Sequence, residues 1–243
     1  MSHYRLPGVL LLGAVMVAGT AACGSQNASS GGSAATTTTT APPAAVQVAD
    51  VKSAMQNATA VHVKGSITDS GTKISVDVQL NKDGTASGTI ADGGPNIPIV
   101  LSGKVIYLQF TPDVMKANGI DATSAAGQKL ANKWVPSTSK LMSGSNLATS
   151  VQPFLDYTQF IGSLAQNMPA GALKAGKSDV INGTPVVLYT FPDGTPADVA
   201  TSSPHYLVRL LPGPTDGAGQ LDFTGWNQPV AVHAPPASQV FSG

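Results

Sequence analysis

The chain has 243 residues, enough for one domain of ordinary size or two small ones. Charged residues make up only 11% of it, and 13 basic side chains balance 13 acidic ones. This balance gives no basic surface for nucleic acid and disfavours that class of function. Cys23 is the one cysteine, which excludes an internal disulfide and a cysteine-based metal site.

The first 22 residues have the pattern of an export signal. Arg5 supplies a short basic region, and an apolar run follows from Leu6 to Ala18. About twenty apolar residues are needed to span a bilayer as a helix, so this shorter run is typical of a signal peptide. The small residues Ala21 and Ala22 then precede Cys23. The sequence therefore predicts a signal peptide over residues 1–22.

The segment Thr20-Ala21-Ala22-Cys23 resembles the lipobox of bacterial lipoproteins. This resemblance implies that the Cys23 thiol receives diacylglycerol, and that Cys23 then becomes the acylated N-terminus. Two or more acyl chains give stable anchoring, so the protein is expected on the outer face of the cytoplasmic membrane, in the cell envelope. The alternative is an ordinary signal peptide cut after Ala-x-Ala, with Cys23 incidental.

Residues 23–45 are predicted to be a disordered tether that follows the lipidated cysteine. The segment is rich in Gly, Ser, Ala and Pro and contains five consecutive threonines, Thr36 to Thr40. It has no apolar periodicity with which to build a core. Residues 46–243 are expected to form a single domain.

In that domain the hydrophobic period changes from helical to alternating. Apolar spacing predicts a first helix over about 47–59 and a second over about 151–166. Strict alternation over Lys73–Leu80 indicates a strand with one apolar face. Further strands are predicted at Val61–Ile67, Ile97–Leu101, Val105–Phe110, Leu173–Val180, Val186–Phe191, Tyr206–Leu211 and Leu221–Trp226. The pattern predicts an α+β domain with a large antiparallel sheet, covered by helices on its apolar face.

No constellation of residues predicts an enzyme. Residues 171–178 satisfy the P-loop pattern G-x-x-x-x-G-K-S, but strand-like sequence follows where a helix is needed to meet the phosphates. His62, His205 and His233 lack the spacing of metal ligands, and no G-x-S-x-G motif occurs. The sequence therefore predicts no catalysis, no metal, no nucleotide and no cofactor other than the lipid on Cys23.

The apolar face of the sheet has two interpretations. Its residues are aliphatic or small, as in Thr85–Ile90, and such a face can leave a volume that a lipid chain fills. A close-packed core is the other interpretation, and composition alone favours it.

Several segments resemble the actinobacterial lipoproteins of the LprG/LppX type, within the LolA/LolB-like superfamily. They are Met55–Gly65, Gly103–Leu108, the turn Asn182–Pro185, Phe223–Val230 and Ala234–Pro236. The resemblance implies a curved antiparallel half-barrel with helices over its concave face. It also implies that the protein binds and carries or displays acylated envelope lipids, including lipoglycans, in an apolar cavity without covalent chemistry.

If that function holds, two groups of apolar residues are expected to line the cavity. They are Val61, Val63, Ile74, Val76, Val78 and Leu80 on the sheet and Phe154, Phe160 and Leu164 on the facing helix. The alternative is a structural or interaction lipoprotein with a packed core and a protein partner. A third hypothesis, an unrecognised hydrolase, would require a serine, a histidine and an aspartate to be clustered in space.

Overall fold

The computed structural model describes residues 46–69, 71–143, 147–213 and 217–242. The predicted signal peptide, Cys23 and the tether lie outside these residues. The α-helices are α1 Val48–Asn57, α2 Pro112–Ala117, α3 Ala125–Leu130, α4 Leu147–Val151 and α5 Tyr157–Asn167, and short 3₁₀ helices lie at Lys140–Met142, Gln152–Phe154 and Ala237–Gln239. The strands are β1 Ala60–Asp69, β2 Thr72–Asn81, β3 Ala86–Asp92, β4 Ile97–Ser102, β5 Val105–Gln109, β6 Trp134–Pro136, β7 Lys174–Ile181, β8 Thr184–Thr190, β9 Pro196–Ala200, β10 Leu207–Leu210 and β11 Gly219–Thr224.

The strands form one open antiparallel sheet of eleven strands, in the order β6-β5-β4-β3-β2-β1-β11-β10-β9-β8-β7. The first strand lies at the centre, and the chain moves outward through β2 to β5 and, after two short helices, to β6 at one edge. The helices α4 and α5 then carry it to β7 at the other edge. From there it returns inward to β11, which pairs with β1 through contacts such as Val63 with Phe223.

One face of the sheet is dry because its strands alternate apolar and polar residues. Along β2 the side chains of Ile74, Val76, Val78 and Leu80 are buried, and the residues between them are partly exposed. We call the dry side the inner face and the other side the outer face. Helices α1 and α5 pack against each other, and their apolar residues join the inner-face strands in one core cluster. The predicted fold class, a large antiparallel sheet covered on one face by helices, is confirmed.

A buried hydrogen bond fixes the two covering helices relative to each other. The Tyr157 hydroxyl, on α5, donates to the backbone carbonyl of Met55, on α1, at 2.6 Å. Burial, together with the nearby Tyr206, raises the pKa of Tyr157 well above its usual value. The hydroxyl therefore stays protonated and keeps donating.

The predicted helix over 151–166 is interrupted. Instead, α4 ends at Val151, a 3₁₀ turn follows, and α5 begins at Tyr157. Pro153 lies in that turn, and proline has no N–H to continue a helix. Asp156 then caps α5 by accepting from the Gln159 N–H at 2.9 Å.

The P-loop pattern at residues 171–178 lies largely in β7 and has no helix after it. Strand β7 continues to Ile181 and turns into β8 at Asn182, which has a φ of 49°. The pairing of β7 with β8 shifts register between Ala175 and Ser178. The geometry excludes a phosphate-binding loop here, because a P-loop needs a helix N-terminus directed at the ligand.

The two edges of the sheet have different surroundings. At the β6 edge, the C-terminal segment, residues 225–242, lies alongside Trp134, because Val240 forms a parallel bridge to it and Phe241 N–H donates to its carbonyl at 2.8 Å. At the other edge, β7 is exposed from Lys174 to Val180.

Buried Asn81 holds the C-terminal segment near the sheet centre. Its side-chain amide donates to the carbonyl of Val230 at 2.8 Å, and its side-chain oxygen accepts from the Val230 N–H at 3.3 Å. The same amide also donates to the Thr85 hydroxyl at 2.9 Å. The segment therefore has anchors at both ends, one beside β2 and one at β6.

Candidate ligand-binding site

A cleft of about 780 Å³ opens between the inner face of the sheet and the helical segment that contains α4. Leu101 and Ile106 form part of its floor, and they pair across the β4–β5 hairpin. Met142 and Ala148 contribute from the 3₁₀ turn and from α4. Leu101, Ile106 and Met142 belong to the core cluster, and Ala148 packs against it. The floor of the cleft is therefore continuous with the protein core.

The rim of the cleft is polar. Asp83 and Thr85 line it from the β2–β3 turn, Lys104 from the β4–β5 turn, and Gln152 and Asp156 from the helical side. Asp83 Oδ1 accepts from the Thr85 N–H at 2.9 Å and from its hydroxyl at 2.7 Å, and Asp156 caps α5. Both carboxylates are therefore held in place by local hydrogen bonds. With an apolar floor and a polar rim, the cleft suits an amphiphilic ligand.

A second, smaller cavity of about 130 Å³ lies at the other end of α5. Leu164 and Met168 line it from the helical side, and Phe191, Thr195 and Leu210 from β8, β9 and β10 and the turns beside them. Helix α5 has 11 residues, so the two cavities are separated by roughly 16 Å of helix.

The nine predicted lining residues lie together in the core. The six strand residues are at most 8% exposed and share the inner face, where Val61 pairs with Leu80 and Val63 with Val78. Phe154 and Phe160 pack against that core with ring centroids 6.1 Å apart. Leu164 lines the smaller cavity, and none of the nine lines the larger cleft. Their role in holding a ligand stays a prediction.

The cleft residues that the sequence analysis did not nominate come from two sources. Leu101 and Ile106 lie in strands that were predicted, and in the structure they alternate with partly exposed neighbours. Because those neighbours include Val100 and Val105, the alternation is not visible in the sequence. Met142 and Ala148 lie in a region, about 111–150, that shows no clear apolar period. That region also contains α2, α3 and β6, which were not predicted.

Gly88 and Ala86 are two of the small residues of β3, and both have a packing role. Gly88 has a φ of 154°, and a Cβ there would lie 2.1 Å from the carbonyl oxygen of Asp77. Ala86 on the same strand is fully buried. Glycine is therefore required because strand β2 passes too close for any side chain.

A threonine, a histidine and an aspartate do come together, on the outer face. Asp77 Oδ1 accepts from His62 Nε2 at 2.7 Å, and the Thr224 hydroxyl lies 3.4 Å from His62 Nδ1. Lys64 also contacts Asp77, at 2.7 Å. Burial raises the pKa of Asp77, but the hydrogen bonds from Lys64 and His62 outweigh it and hold the pKa below its usual value.

This triad-like group lacks the surroundings of a hydrolase. Thr224 pairs with His62 in the β1–β11 ladder, so nearby backbone N–H groups serve the sheet, whereas acyl transfer needs donors aimed at a developing oxyanion. His205 instead donates from Nδ1 to the Ala200 carbonyl at 3.1 Å, and His233 is exposed. Within the described part of the chain, no group of three or more metal-ligating side chains occurs.

No helix in the described ranges is long and apolar enough to cross a membrane.

No protein-family model matches the chain, and no curated protein matches it. Among solved structures, it is similar to the Mycobacterium tuberculosis lipoprotein LppX, with 22% identity over 76% of this chain and 96% of that one, at a TM-score of 0.44. It also matches MucB in the Pseudomonas aeruginosa MucA/MucB complex, with 12% identity over 81% of this chain and 59% of that one, at a TM-score of 0.28. A structure of MucB alone matches with 11% identity over 81% and 61% of the two chains, at a TM-score of 0.30. The LppX match is to a protein of the type that the sequence resembles.

Proposed function

We propose that the protein is a lipid-anchored envelope lipoprotein that binds an acyl chain between the sheet and its covering helices. The observation that carries this proposal is the cleft of about 780 Å³, whose apolar floor continues into the core and whose rim is polar. Its volume lies within the range of roughly 300–1,000 Å³ that is common for small-molecule sites.

The two cavities suggest the path of the chain. The larger cleft lies near Asp156, which caps the start of α5, and the smaller one lies near Met168, which follows its end. An acyl chain that enters at the cleft and follows the underside of α5 would pass the predicted lining residues Phe160 and Leu164. Its headgroup would stay at the polar rim.

Methionines make this layer adaptable. Met55, Met115, Met142 and Met168 are all buried. Met142 lines the cleft, and Met168 lines the smaller cavity. Because methionine is unbranched and rotates about three bonds, these side chains can move aside for a ligand at small cost. Each CH₂ group buried there would contribute about 0.8 kcal/mol before ordering costs.

In this proposal, Cys23 carries the diacylglycerol and the N-linked acyl chain and holds the protein on the outer face of the cytoplasmic membrane. The lipobox-like segment, residues 20–23, supports it. Labelling cells with an alkyne fatty acid tests the anchor. We expect the label on the wild-type chain and none on Cys23→Ser, whereas equal labelling of both would contradict the assignment.

A second candidate is an interaction lipoprotein with a protein partner and no lipid ligand. The packing supports it, because the six predicted strand residues are all part of the close-packed core. The two candidates differ in whether the apolar layer opens to admit a chain.

A photoactivatable palmitate analogue distinguishes the two candidates. The fragment Pro43–Gly243, which contains the compact unit with the whole core, is incubated with the analogue, irradiated and digested. We expect crosslinked peptides from the cleft floor, around Ile106 and Met142, and from α5. No crosslink, or crosslinks on the outer face alone, would favour the interaction lipoprotein.

A matched pair of tryptophan variants controls for the added ring. Ala148→Trp fills the cleft from α4 and should reduce crosslinking several-fold. Lys129→Trp adds the same ring on the exposed side of α3 and should leave crosslinking unchanged. Circular dichroism of both variants checks that the fold is retained.

A further inference from the structure

A separate polar cleft of about 290 Å³ lies between α1 and the β9–β10 loop. Helix α1 contributes the polar residues Asp50, Ser53 and Asn57. The loop contributes Pro204, His205 and Tyr206, and the remaining lining residues are Ala54 and Ser203.

An aromatic stack supports one wall of this cleft. Tyr206 stacks on Trp226 with ring centroids 5.0 Å apart and planes 8° apart, and Trp226 in turn stacks on Phe223 at 6.2 Å. The indole N–H of Trp226 donates to the Leu207 carbonyl at 2.8 Å, which fixes the ring. Of the three stacked rings, Tyr206 lines the cleft, and Trp226 and Phe223 support it from behind.

The loop that carries His205 is held by its own hydrogen bonds. His205 has a φ of 55°, a conformation that costs free energy for a residue other than glycine. Its N–H donates to the Ser202 carbonyl at 2.9 Å, and the Ala200 N–H donates to the Tyr206 carbonyl at 2.9 Å. Because His205 Nδ1 is taken up by the Ala200 carbonyl, Nε2 is the ring nitrogen that remains for a ligand.

The helix side of the cleft offers both donors and acceptors. Ser53 Oγ accepts from the Asn57 amide at 3.1 Å, which leaves the Ser53 hydroxyl hydrogen and the Asn57 side-chain oxygen for a ligand. Asp50 accepts from the Gln47 N–H through Oδ2 at 2.9 Å and has a second carboxylate oxygen. Asp50 is the one residue with a full charge among those that line the cleft.

We propose that this cleft binds a neutral saccharide with a pyranose ring. The C–H groups on one face of such a ring carry a small positive charge and pack against aromatic faces, whose centre is negative. Its hydroxyls donate to the carboxylate and amide oxygens and accept from the Ser53 hydroxyl. The lone carboxylate disfavours an anionic ligand. This proposal does not depend on the acyl-chain site, which is lined by different residues.

Saturation-transfer NMR on the full chain tests this proposal. The protein is kept in a polyoxyethylene detergent, because sugar-headed detergents would compete. The probes are the methyl pyranosides of glucose, galactose and mannose, and glycerol serves as a polyol without a ring face. We expect saturation of the pyranoside C–H protons and none of glycerol. No saturation with any pyranoside, or equal saturation of glycerol, would overturn the proposal.

Variants then locate the binding. Asp50→Asn keeps an acceptor for the Gln47 N–H but removes the charge, and it should weaken binding roughly tenfold. Asn57→Ala should weaken it severalfold, whereas Gln56→Ala, on the exposed neighbouring position, should have no effect. Equal effects of Asn57→Ala and Gln56→Ala would place the sugar elsewhere and refute the assignment.

A vesicle experiment identifies the source of the sugar. Phosphatidylcholine vesicles with and without a glucosyl diacylglycerol are sedimented with the Asp50→Asn and wild-type chains. Wild-type enrichment on the glycolipid vesicles, lost in the variant, would identify a lipid headgroup as the source. Soluble pyranoside binding without such enrichment would indicate a free glycan. Enrichment that Asp50→Asn leaves unchanged would count against this cleft.

Discussion

The two edge strands of the sheet are protected from further pairing in different ways. Strand β6 has three residues, and the C-terminal segment lies beside it through Val240 and Phe241. Strand β7 has eight residues and is exposed over seven of them, but it carries Lys174 and Lys177 and a shift of register. An unpaired edge can recruit other chains. The comparison shows that one edge is covered by the chain itself and the other is protected by charge and irregularity.

Strand β7 has one further protective feature. The Asp179 carboxylate accepts from the N–H of Val180 at 2.7 Å. Val180 is 63% exposed and would otherwise offer that N–H to an incoming strand. Gly176 and Lys177 of the P-loop pattern both lie in this edge strand. Their presence there is explained by the structure of the edge and does not require a phosphate ligand.

Replacing Asn81 should have the largest effect, because it releases the C-terminal segment from the sheet centre. Asn81→Ala removes the hydrogen bonds to Val230 and Thr85 from a buried position, and we expect a loss of about 2–4 kcal/mol of unfolding free energy. Urea denaturation measures it. Asn96→Ala, at an exposed position in the β3–β4 turn, is the control and should change stability by less than about 0.5 kcal/mol. A similar small loss for Asn81→Ala would show that the segment is not held there.

Removing the Tyr157 hydroxyl tests how the helices cover the inner face, and it should lower the free energy of unfolding by less than Asn81→Ala does. Tyr157→Phe leaves the Met55 carbonyl buried without its donor, and we expect a loss of about 1–3 kcal/mol. Hydrogen exchange should accelerate in α1 and α5 and stay unchanged in β7. Acceleration throughout the sheet would mean that the helices and strands open as one unit.

Deleting residues 237–243 should make the two edges alike. The truncation removes the bridge from Val240 to Trp134 and the hydrogen bond from Lys133 Nζ to the Ser238 carbonyl, so that β6 becomes an open edge. We expect a loss of about 1–2 kcal/mol, from two or three hydrogen bonds, and concentration-dependent self-association in light scattering. A truncated chain that stays monomeric at all concentrations would show that β6 is too short to recruit a partner.

The lysines of β7 should affect association and leave stability unchanged. Replacing both Lys174 and Lys177 with valine removes the charge from an exposed edge, so we expect dimers or larger species with a change of less than about 0.5 kcal/mol in stability. Lys73 and Lys82 lie near the ends of β2, away from either edge, and valine at both should leave the protein monomeric. Association of the control pair alone would refute edge protection by charge.

Replacing Asp77 should have the smallest effect on stability, and the size of that effect should depend on pH. The folded pKa of Asp77 is below the unfolded one, so its stabilisation is present at neutral pH and is lost as pH falls through the folded pKa. Because the group is partly exposed, Asp77→Asn should cost less than about 1 kcal/mol at pH 7. The difference from wild type should shrink as the pH falls through the folded pKa, which lies below the ordinary range of an aspartate. Urea titrations at pH 7 and at a series of acidic pH values measure it, and a difference that grows in acid would contradict the sign.

The sequence predicted most of the sheet because β2 keeps a strict period of two and the other predicted strands are short apolar runs between turn residues. The alternation over Ile74–Leu80 identified the inner face correctly, and the paired strands around Gly103 and Asn182 formed as expected. The short strands β6 and β9 were missed. Strand β6 has three residues and depends on partners distant in the chain, such as Val240, which local patterns do not reveal.

The cleft was harder to predict than the fold. Residues such as Val63 and Val78 were correctly placed on the inner face, but a sequence pattern does not distinguish a core residue from one that borders a cavity. The lining of the large cleft depends on where the helical segment after β6 lies. No hydrophobic period in the sequence identifies Met142 or Ala148 as part of it. The saccharide cleft also depends on α1 and residues about 150 positions later, so its two walls come together only in the folded chain.

The pairing of β1 with β11 determines when the fold can be completed. The strands β1 to β6 and β7 to β11 each pair with near neighbours in sequence, so both groups can assemble through short loops. The contact of Val63 with Phe223 joins residues at opposite ends of the domain, and such a long loop is slow to close. A chain that emerges N-terminus first would therefore hold β1 with one side unpaired until its last strand arrives. The central seam of the sheet is then the last part to form, and a chain that ends before β11 would leave two unjoined halves.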